Sequence, residues 1–169
     1  MDILLVDGYN IIGAWPQLQQ LKSDDLEGAR DLLIAKMAEY QAYTGFKVII
    51  VFDAHLVPGI QQVFNQHDVT IIFTNENETA DEKIEQLVVE LKGVLTQIHV
   101  ATSDYAEQKA IFGQGALRKS ARELLIEMEK IENNIEQNIE THYTEKRQSK
   151  IRLSPEIQEK FEKMRRGLI

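Results

Sequence analysis

Ile3-Leu4-Leu5-Val6-Asp7-Gly8-Tyr9-Asn10 decides how the rest of the chain is read. An unbroken apolar run stops abruptly at a carboxylate, a glycine and an amide. Short apolar runs closed by turn formers are buried strands entering loops. Asp7 therefore stands at the carboxyl end of a strand, which in open α/β sheets is the edge where ligands bind. Taken alone, Asp7-Gly8 is also an ordinary turn pair. The pattern recurs, however. Lys47 to Asp53 and Ile98 to Asp104 are further apolar runs ending in Asp, and Val69 to Thr74 is a run without one. β-branched residues fill these runs almost without polar alternation, as suits a parallel sheet covered on both faces.

Helical spacing separates the runs. Ser23-Asp24-Asp25 opens a helix, with Asp24 and Glu27 as a capping-box variant, Leu26, Ala29, Leu33, Met37 and Tyr40 as its stripe, and Gly45 as its end. Thr79 and Glu82 form a capping box ahead of Ile84, Leu87, Val88 and Leu91. Asp81 then falls in a first turn, where the helix dipole favours an acid whatever its function. Tyr105 to Phe112 reads as a short helix. Ser120 and Glu123 cap a long one through Leu124, Met128, Ile131, Ile135 and Ile139, and Ser154-Pro155-Glu156 opens a last one. Ile11 to Pro16 reads as an apolar loop whose Trp15 packs on the core. The order strand, helix, strand, strand, helix, strand, helices predicts an α/β fold. It is a three-layer arrangement, a mostly parallel sheet with helices on both faces, plus C-terminal helices. One domain is expected over residues 1–169, with a basic linker at about 141–153 and a C-terminal helix at about 154–167.

Composition narrows the function classes. The apolar and charged shares, 43% and 27%, are those of a soluble globular protein. No apolar run reaches the length of a membrane span, and a strand begins almost at once with Asp2 and no basic leader. With no cysteine there is no disulfide, thiolate metal site or catalytic thiol. A cytoplasmic protein without a membrane partner is expected, with a monomer as the simplest oligomeric state. The net charge is -8, but it is unevenly spread. From Thr141 onward eight basic residues face four acidic ones, a surplus of +4, which leaves the remainder at -12. Lys146, Arg147, Lys150 and Arg152 have no acid among them.

Parallel strands share one carboxyl edge, so Asp7, Asp53 and Asp104 can converge although distant in sequence. Asp81, at a helix start, can be aimed at the same edge, and Glu78 is nearby. Gathered carboxylates repel one another, and a hard divalent cation relieves this. Oxygen ligands select Mg²⁺ or Mn²⁺ over zinc, and one or two such ions suit phosphodiester hydrolysis. On spacing alone, chance turn residues compete with this reading on equal terms. His55, His67, His99 and His142 lack metal-ligand spacing. There is no glycine-rich phosphate loop with a lysine and no nucleophile elbow.

Val6 to Ile12 (VDGYNII), Val51-Phe52-Asp53, Thr79-Ala80-Asp81 and Thr102-Ser103-Asp104 together resemble the NYN domain of the PIN-like nuclease superfamily. Gly115 to Leu124 (GALRKSAREL) resembles the signature of its bacterial YacP-like branch, and the resemblance spans nearly the whole chain. It is nearest to that branch's ribosome-associated messenger-RNA endonucleases of Gram-positive bacteria. The resemblance implies a metal-dependent endoribonuclease with Asp7, Asp81 and Asp104 as metal ligands and Asn10 orienting ligand or substrate. The resemblance also implies Asp53 as a further acid at the site and a fourth ligand for which Asp53, Glu78 and Glu82 compete. It also implies ribosome-bound mRNA as substrate.

These readings combine into hydrolysis of single-stranded RNA, with Mg²⁺ or Mn²⁺, one or two ions, activating water. Arg118, Lys119 and Arg122, on the turn before the long helix and in its first turns, are candidates for gripping phosphates. Cations there oppose the helix dipole, a mismatch that favours a functional role over a solvated helix start. Lys146, Arg147, Lys150 and Arg152 are candidates for ribosomal RNA or message backbone. The rivals are a non-catalytic RNA- or ribosome-binding adaptor and a structure-specific DNA nuclease.

Overall fold

The computed structural model describes residues 1–54, 62–104, 113–151, 159–160 and 163–167. They divide into two compact units, Met1–Glu129 and Lys130–Ile169.

The first unit is built on β1 (Asp2–Asp7), buried from Ile3 onward, with β2 (Lys47–Phe52) on one side and β5 (Gln97–Ala101) on the other, both parallel to it. β4 (Val69–Phe73) continues the sheet beside β2, β3 (Gln62–Gln66) closes that edge antiparallel, and β6 (Leu117–Lys119) closes the other edge beside β5. The strand order is β3-β4-β2-β1-β5-β6. Three helices, α1 (Gly8–Ala14), α2 (Pro16–Asp24) and α3 (Leu26–Thr44), carry the chain from β1 to β2, and α4 (Ala80–Leu91) carries it from β4 back to β5. The two connections travel in opposite directions across the sheet. Right-handed crossovers therefore put α1–α3 on one face and α4 on the other.

Residue alternation confirms the layers. Ile3, Leu5, Ile49, Val51, Ile72, Ile98 and Val100 form one buried row set, packed under Ala80, Ile84, Leu87 and Val88 of α4. The alternate residues Leu4, Val6, Val48, Ile50 and Phe52 are fully buried as well and face the other side. There Tyr9 of α1 meets Phe52 at 5.0 Å between ring centroids. Gly8 is needed at this approach, because a Cβ would lie 2.3 Å from the Phe52 ring. Gly45, at φ 79°, ends α3 in the left-handed conformation as its position predicted.

Several local expectations are corrected. Ile11 to Pro16 is not a loop: Ile11 and Ile12 sit in α1, fully buried, and Pro16 occupies the first turn of α2. Asp25, not Asp24, caps α3, its carboxylate accepting from the Gly28 amide at 2.8 Å. The Thr79 cap holds as read, accepting from the Glu82 amide at 3.2 Å, and so does the Ser120 cap, from the Glu123 amide at 3.1 Å. β3 and β6 went unread. β3 is an amide-rich edge strand turned by His67 and Asp68 at φ 53° and 66°, and β6 is three residues of mixed character. Arg118 and Lys119 thus lie on a strand rather than a turn.

The long helix α5 (Ala121–Ile151) runs well beyond the linker boundary read at 141. No glycine or proline stands between Gly115 and Pro155, and Lys, Arg, Gln and Glu are good helix formers. In the second unit residues 130–151, 159–160 and 163–165 are helical. Along the α5 stripe, Leu124, Met128 and Ile131 are buried and Ile139 is exposed. Tyr105 to Phe112 and the start of the last helix at Ser154 lie outside the described residues. Among the described residues no helix is long and apolar enough to cross a membrane.

Candidate active site at the carboxyl edge of the sheet

β1 sends its chain one way across the sheet and β5 sends its chain the other way. The crevice beyond their carboxyl ends is the topological switch point of the fold. Asp7 closes β1 on one side of it, and Thr102-Ser103-Asp104 leaves β5 on the other. Register sets the direction. Asp7 pairs with Val51, and Val6 with Ala101, so Asp7 and Thr102 lie level and continue the rows that face α4. Asp81 stands in the first turn of α4, on that same face. Asp53 follows the end of β2. Asp7 is 7% exposed, while Asp53, Asp81 and Asp104 are half-buried.

Asn10 bridges the crevice. From the first turn of α1 its amide oxygen accepts from the Ser103 backbone N–H at 2.5 Å and from the Ser103 hydroxyl. Thr102 is fully buried; its hydroxyl accepts from the Asp104 amide at 3.1 Å, and its own N–H donates to the Lys119 carbonyl at 3.1 Å. The backbone that carries Asp104 is thus tied to α1 on one side and β6 on the other. Asn10 was expected to orient ligand or substrate; in this structure its amide oxygen holds the turn beside Asp104. Asn10→Ala removes the acceptor of both Ser103 bonds, a loss of about 1–3 kcal/mol locally. The expected outcome is amide exchange at Ser103 faster by about 10–100-fold. Exchange at the wild-type rate would contradict the clamp.

A second hub organises the acids on the α4 side. The buried Thr74 hydroxyl accepts from the Ala54 amide at 3.0 Å and donates to the Glu78 carbonyl at 2.8 Å. It ties the segment after Asp53 to the loop that leads through the Thr79 cap to Asp81. Glu78 Oε1 is buried with no hydrogen-bond partner. Glu82 is exposed.

The α1 side carries a cation. Arg30, on α3, donates from Nη1 to the Tyr9 hydroxyl at 3.1 Å. Burial raises the Tyr9 pKa; Arg30 opposes the rise and the negative charge of Asp53 adds to it.

The basic candidates fare differently from one another. Lys119 is engaged: its ammonium lies 2.7 and 2.9 Å from the Glu127 carboxylate oxygens and 3.2 Å from the Tyr40 hydroxyl, over the Tyr40 and Phe46 rings. Tyr40 donates to Glu127 at 2.8 Å, and burial first, then that carboxylate, pushes its pKa well above the tyrosine range. Lys119 therefore belongs to an internal ion pair rather than to a phosphate grip. Arg118 and Arg122 are exposed. Lys146, Arg147 and Lys150 lie along α5, and Arg152 lies outside the described residues.

Oxygen donors suit a hard divalent cation, and the edge supplies them. Yet among the described residues no group of three or more His, Asp or Glu side chains is placed to hold a metal ion. The donor chemistry fits an ion; the spacing of the side chains in this conformation does not.

Sequence reading missed Tyr9, Arg30, Thr74, Thr102 and Ser103. Hydroxyl residues just before a strand-terminal acid, as in Thr102-Ser103-Asp104, are a recognisable signal for a side-chain-pinned turn. Arg30 has no such signal.

Comparison with known proteins fits this architecture. The model of the YacP-like NYN domain matches residues 4–166. The chain is 64% identical over 167 residues to a Bacillus subtilis (strain 168) protein named "Uncharacterized protein YacP", covering 99% of this chain and 98% of that one. The crystal structure of Rae1 (YacP) from Bacillus subtilis is similar at 64% identity and a TM-score of 0.77, covering 99% of this chain and 96% of that one. The crystal structure of a mutant of that Bacillus subtilis protein is similar at 62% identity and a TM-score of 0.75, with the same coverage.

Proposed function

Because the chain belongs to the YacP-like NYN domain family, a nuclease-type family, we propose that it is an endoribonuclease. It cleaves single-stranded mRNA on the translating ribosome, in the cytoplasm, and depends on Mg²⁺ or Mn²⁺. The observation that carries the reading is the switch-point crevice itself. Asp7 and Asp104 stand on its two sides, the Asp104 turn is fastened to α1 through Asn10 and Ser103, and Asp81 opens the helix above the same face.

Asp7, Asp81 and Asp104 are the residues proposed to hold one or two ions, with Asp53 and Glu78 as further acids. A bound ion supplies charge neutralisation at the phosphate and a more acidic water. The described side chains do not gather into a three-ligand group in this conformation, and the chain's own part is clearer. In this reading water is the nucleophile, no protein nucleophile is needed, and a carboxylate at the crevice can take the water's proton. The pinned turn holds Asp104 at the crevice, so little reorganisation is needed during reaction.

The acidic body and the basic residues along α5 support a larger platform for the RNA. An acidic body with only a local basic patch binds naked RNA weakly, and the contacts of that patch with phosphates make the binding steeply salt-dependent. The test compares one single-stranded RNA, its DNA counterpart, and the RNA as a translated message on ribosomes, each with Mg²⁺ and with chelator. Cleavage of the ribosome-bound message alone, lost with chelator, is expected. Rapid cutting of naked RNA at physiological salt would remove the platform, and cutting of the DNA would overturn the substrate. That no three-ligand group stands among the described residues leaves one second reading, a non-catalytic RNA-binding adaptor, which RNA binding without cleavage in any condition would support.

A further inference from the structure

We propose that Arg30 and Tyr9 form a binding site for a backbone phosphate of single-stranded RNA, at the carboxyl edge beside Asp53. The inference rests on the nuclease reading and adds a substrate contact to it. Arg30 lies near the start of α3, and α3 leads into β2 from the carboxyl edge, so its first turns stand at the level of the acids. Tyr9 is in the first turn of α1, two residues past Asp7, with its ring against Phe52 and no room for a side chain at Gly8 to displace it. Asp53 directly follows Phe52, whose ring meets the Tyr9 ring at 5.0 Å between centroids.

The hydrogen-bond polarity gives the pair its chemistry. Arg30 Nη1 donates and the phenol oxygen accepts, at 3.1 Å, so the phenol's own hydrogen points elsewhere. The guanidinium uses one of its five N–H donors in this bond. Two adjacent donors, one of them cationic and planar, match the paired oxygens of a phosphodiester. Both residues are half-buried; the Tyr9 ring packs on Phe52, and Arg30 is held by its bond to the Tyr9 hydroxyl. The edge is otherwise lined by Asp7, Asp53, Asp81 and Asp104, which repel a polyanion; a fixed cation beside them offsets that repulsion and sets where the backbone can lie.

The experiment uses the full chain carrying Asp7→Asn, so that RNA is bound without being cut. A labelled single-stranded oligoribonucleotide is titrated by fluorescence anisotropy over a series of salt concentrations. Arg30→Gln should weaken binding about tenfold and lower the slope of log affinity against log salt by about 0.7, one phosphate contact on a single strand. Arg30→Lys should keep the slope, and Tyr9→Phe should weaken binding several-fold without changing it. A slope unchanged by Arg30→Gln overturns the site. If Arg30→Gln does not fold, Tyr9→Phe, which keeps the ring on Phe52, decides, and unchanged affinity overturns the site. Arg30-independent binding by the parent chain removes this contact and leaves the nuclease reading intact. A wild-type chain that cuts no message, on ribosomes or off them, removes both.

Discussion

Asp7→Asn is expected to lower RNA cleavage on the order of 10³-fold or more while leaving the fold intact. The side chain sits 7% exposed at the switch point, where under the proposed reading the change takes away a negative charge, a proton acceptor and one of the two carboxylate oxygens. Asparagine has the same shape, and the Asp7 side chain makes no capping bond to α1. The thermal midpoint should therefore move by no more than a few degrees, as for a shape-conserving change. Asp81→Asn should match it in activity, since the α4 cap comes from Thr79 and not from Asp81. Glu136→Gln, exposed in the second unit, should cut like wild type. End-labelled message held on translating ribosomes and resolved on a gel checks all three, with melting of the purified proteins followed by circular dichroism. Cleavage that survives both Asp changes would remove the edge acids from the chemistry.

Trp15→Ala is expected to be the most destabilising of the single substitutions considered. The ring is 2% exposed, and its Nε1 donates to the Ala121 carbonyl at 2.8 Å, joining the α1–α2 corner to the start of α5 across 106 residues of chain. Emptying a site of this size costs about 3–5 kcal/mol, and the carbonyl loses its partner as well. That is a large part of the roughly 5–15 kcal/mol that holds a domain together. The midpoint should fall by about 10 °C at this chain length. Trp15→Phe keeps most of the volume and should lose about 1–3 kcal/mol, mainly through the unpaired carbonyl. Urea unfolding followed by circular dichroism separates the two. Equal losses would mean that the hydrogen bond, not the volume, dominates.

The sheet was legible because its evidence is local. β1, β2, β4 and β5 are buried runs of branched apolar residues, and α3 and α4 announce their caps, whereas α1 and α2 have no side-chain cap to announce them. β3 and β6 were not legible for a matching reason. Gln62 to Gln66 offers amides at an edge where one side needs no burial, and Leu117 to Lys119 is too short for any period to show. The site was half legible. A carboxylate after a buried strand points to a shared edge, and register bears this out for Asp7 with the Thr102-Ser103-Asp104 turn. What fixes those acids was hidden, because the bonds join residues 93 apart, as between Asn10 and Ser103, or 20 apart, as between Ala54 and Thr74. Lys119 shows the opposite failure. A lysine beside Arg118 and Arg122 looks like part of a phosphate grip until Glu127, two turns into α5, is seen to neutralise it.

The acidic edge as a nuclease centre is tested most directly by cleavage of a 5′-labelled message held on translating ribosomes. The purified full chain is assayed with Mg²⁺, with chelator, and with Mg²⁺ restored. Discrete internal cuts that vanish with chelator, return with the ion and are absent for Asp7→Asn are predicted. Cuts that persist in chelator, or that Asp7→Asn makes as fast as wild type, would contradict it.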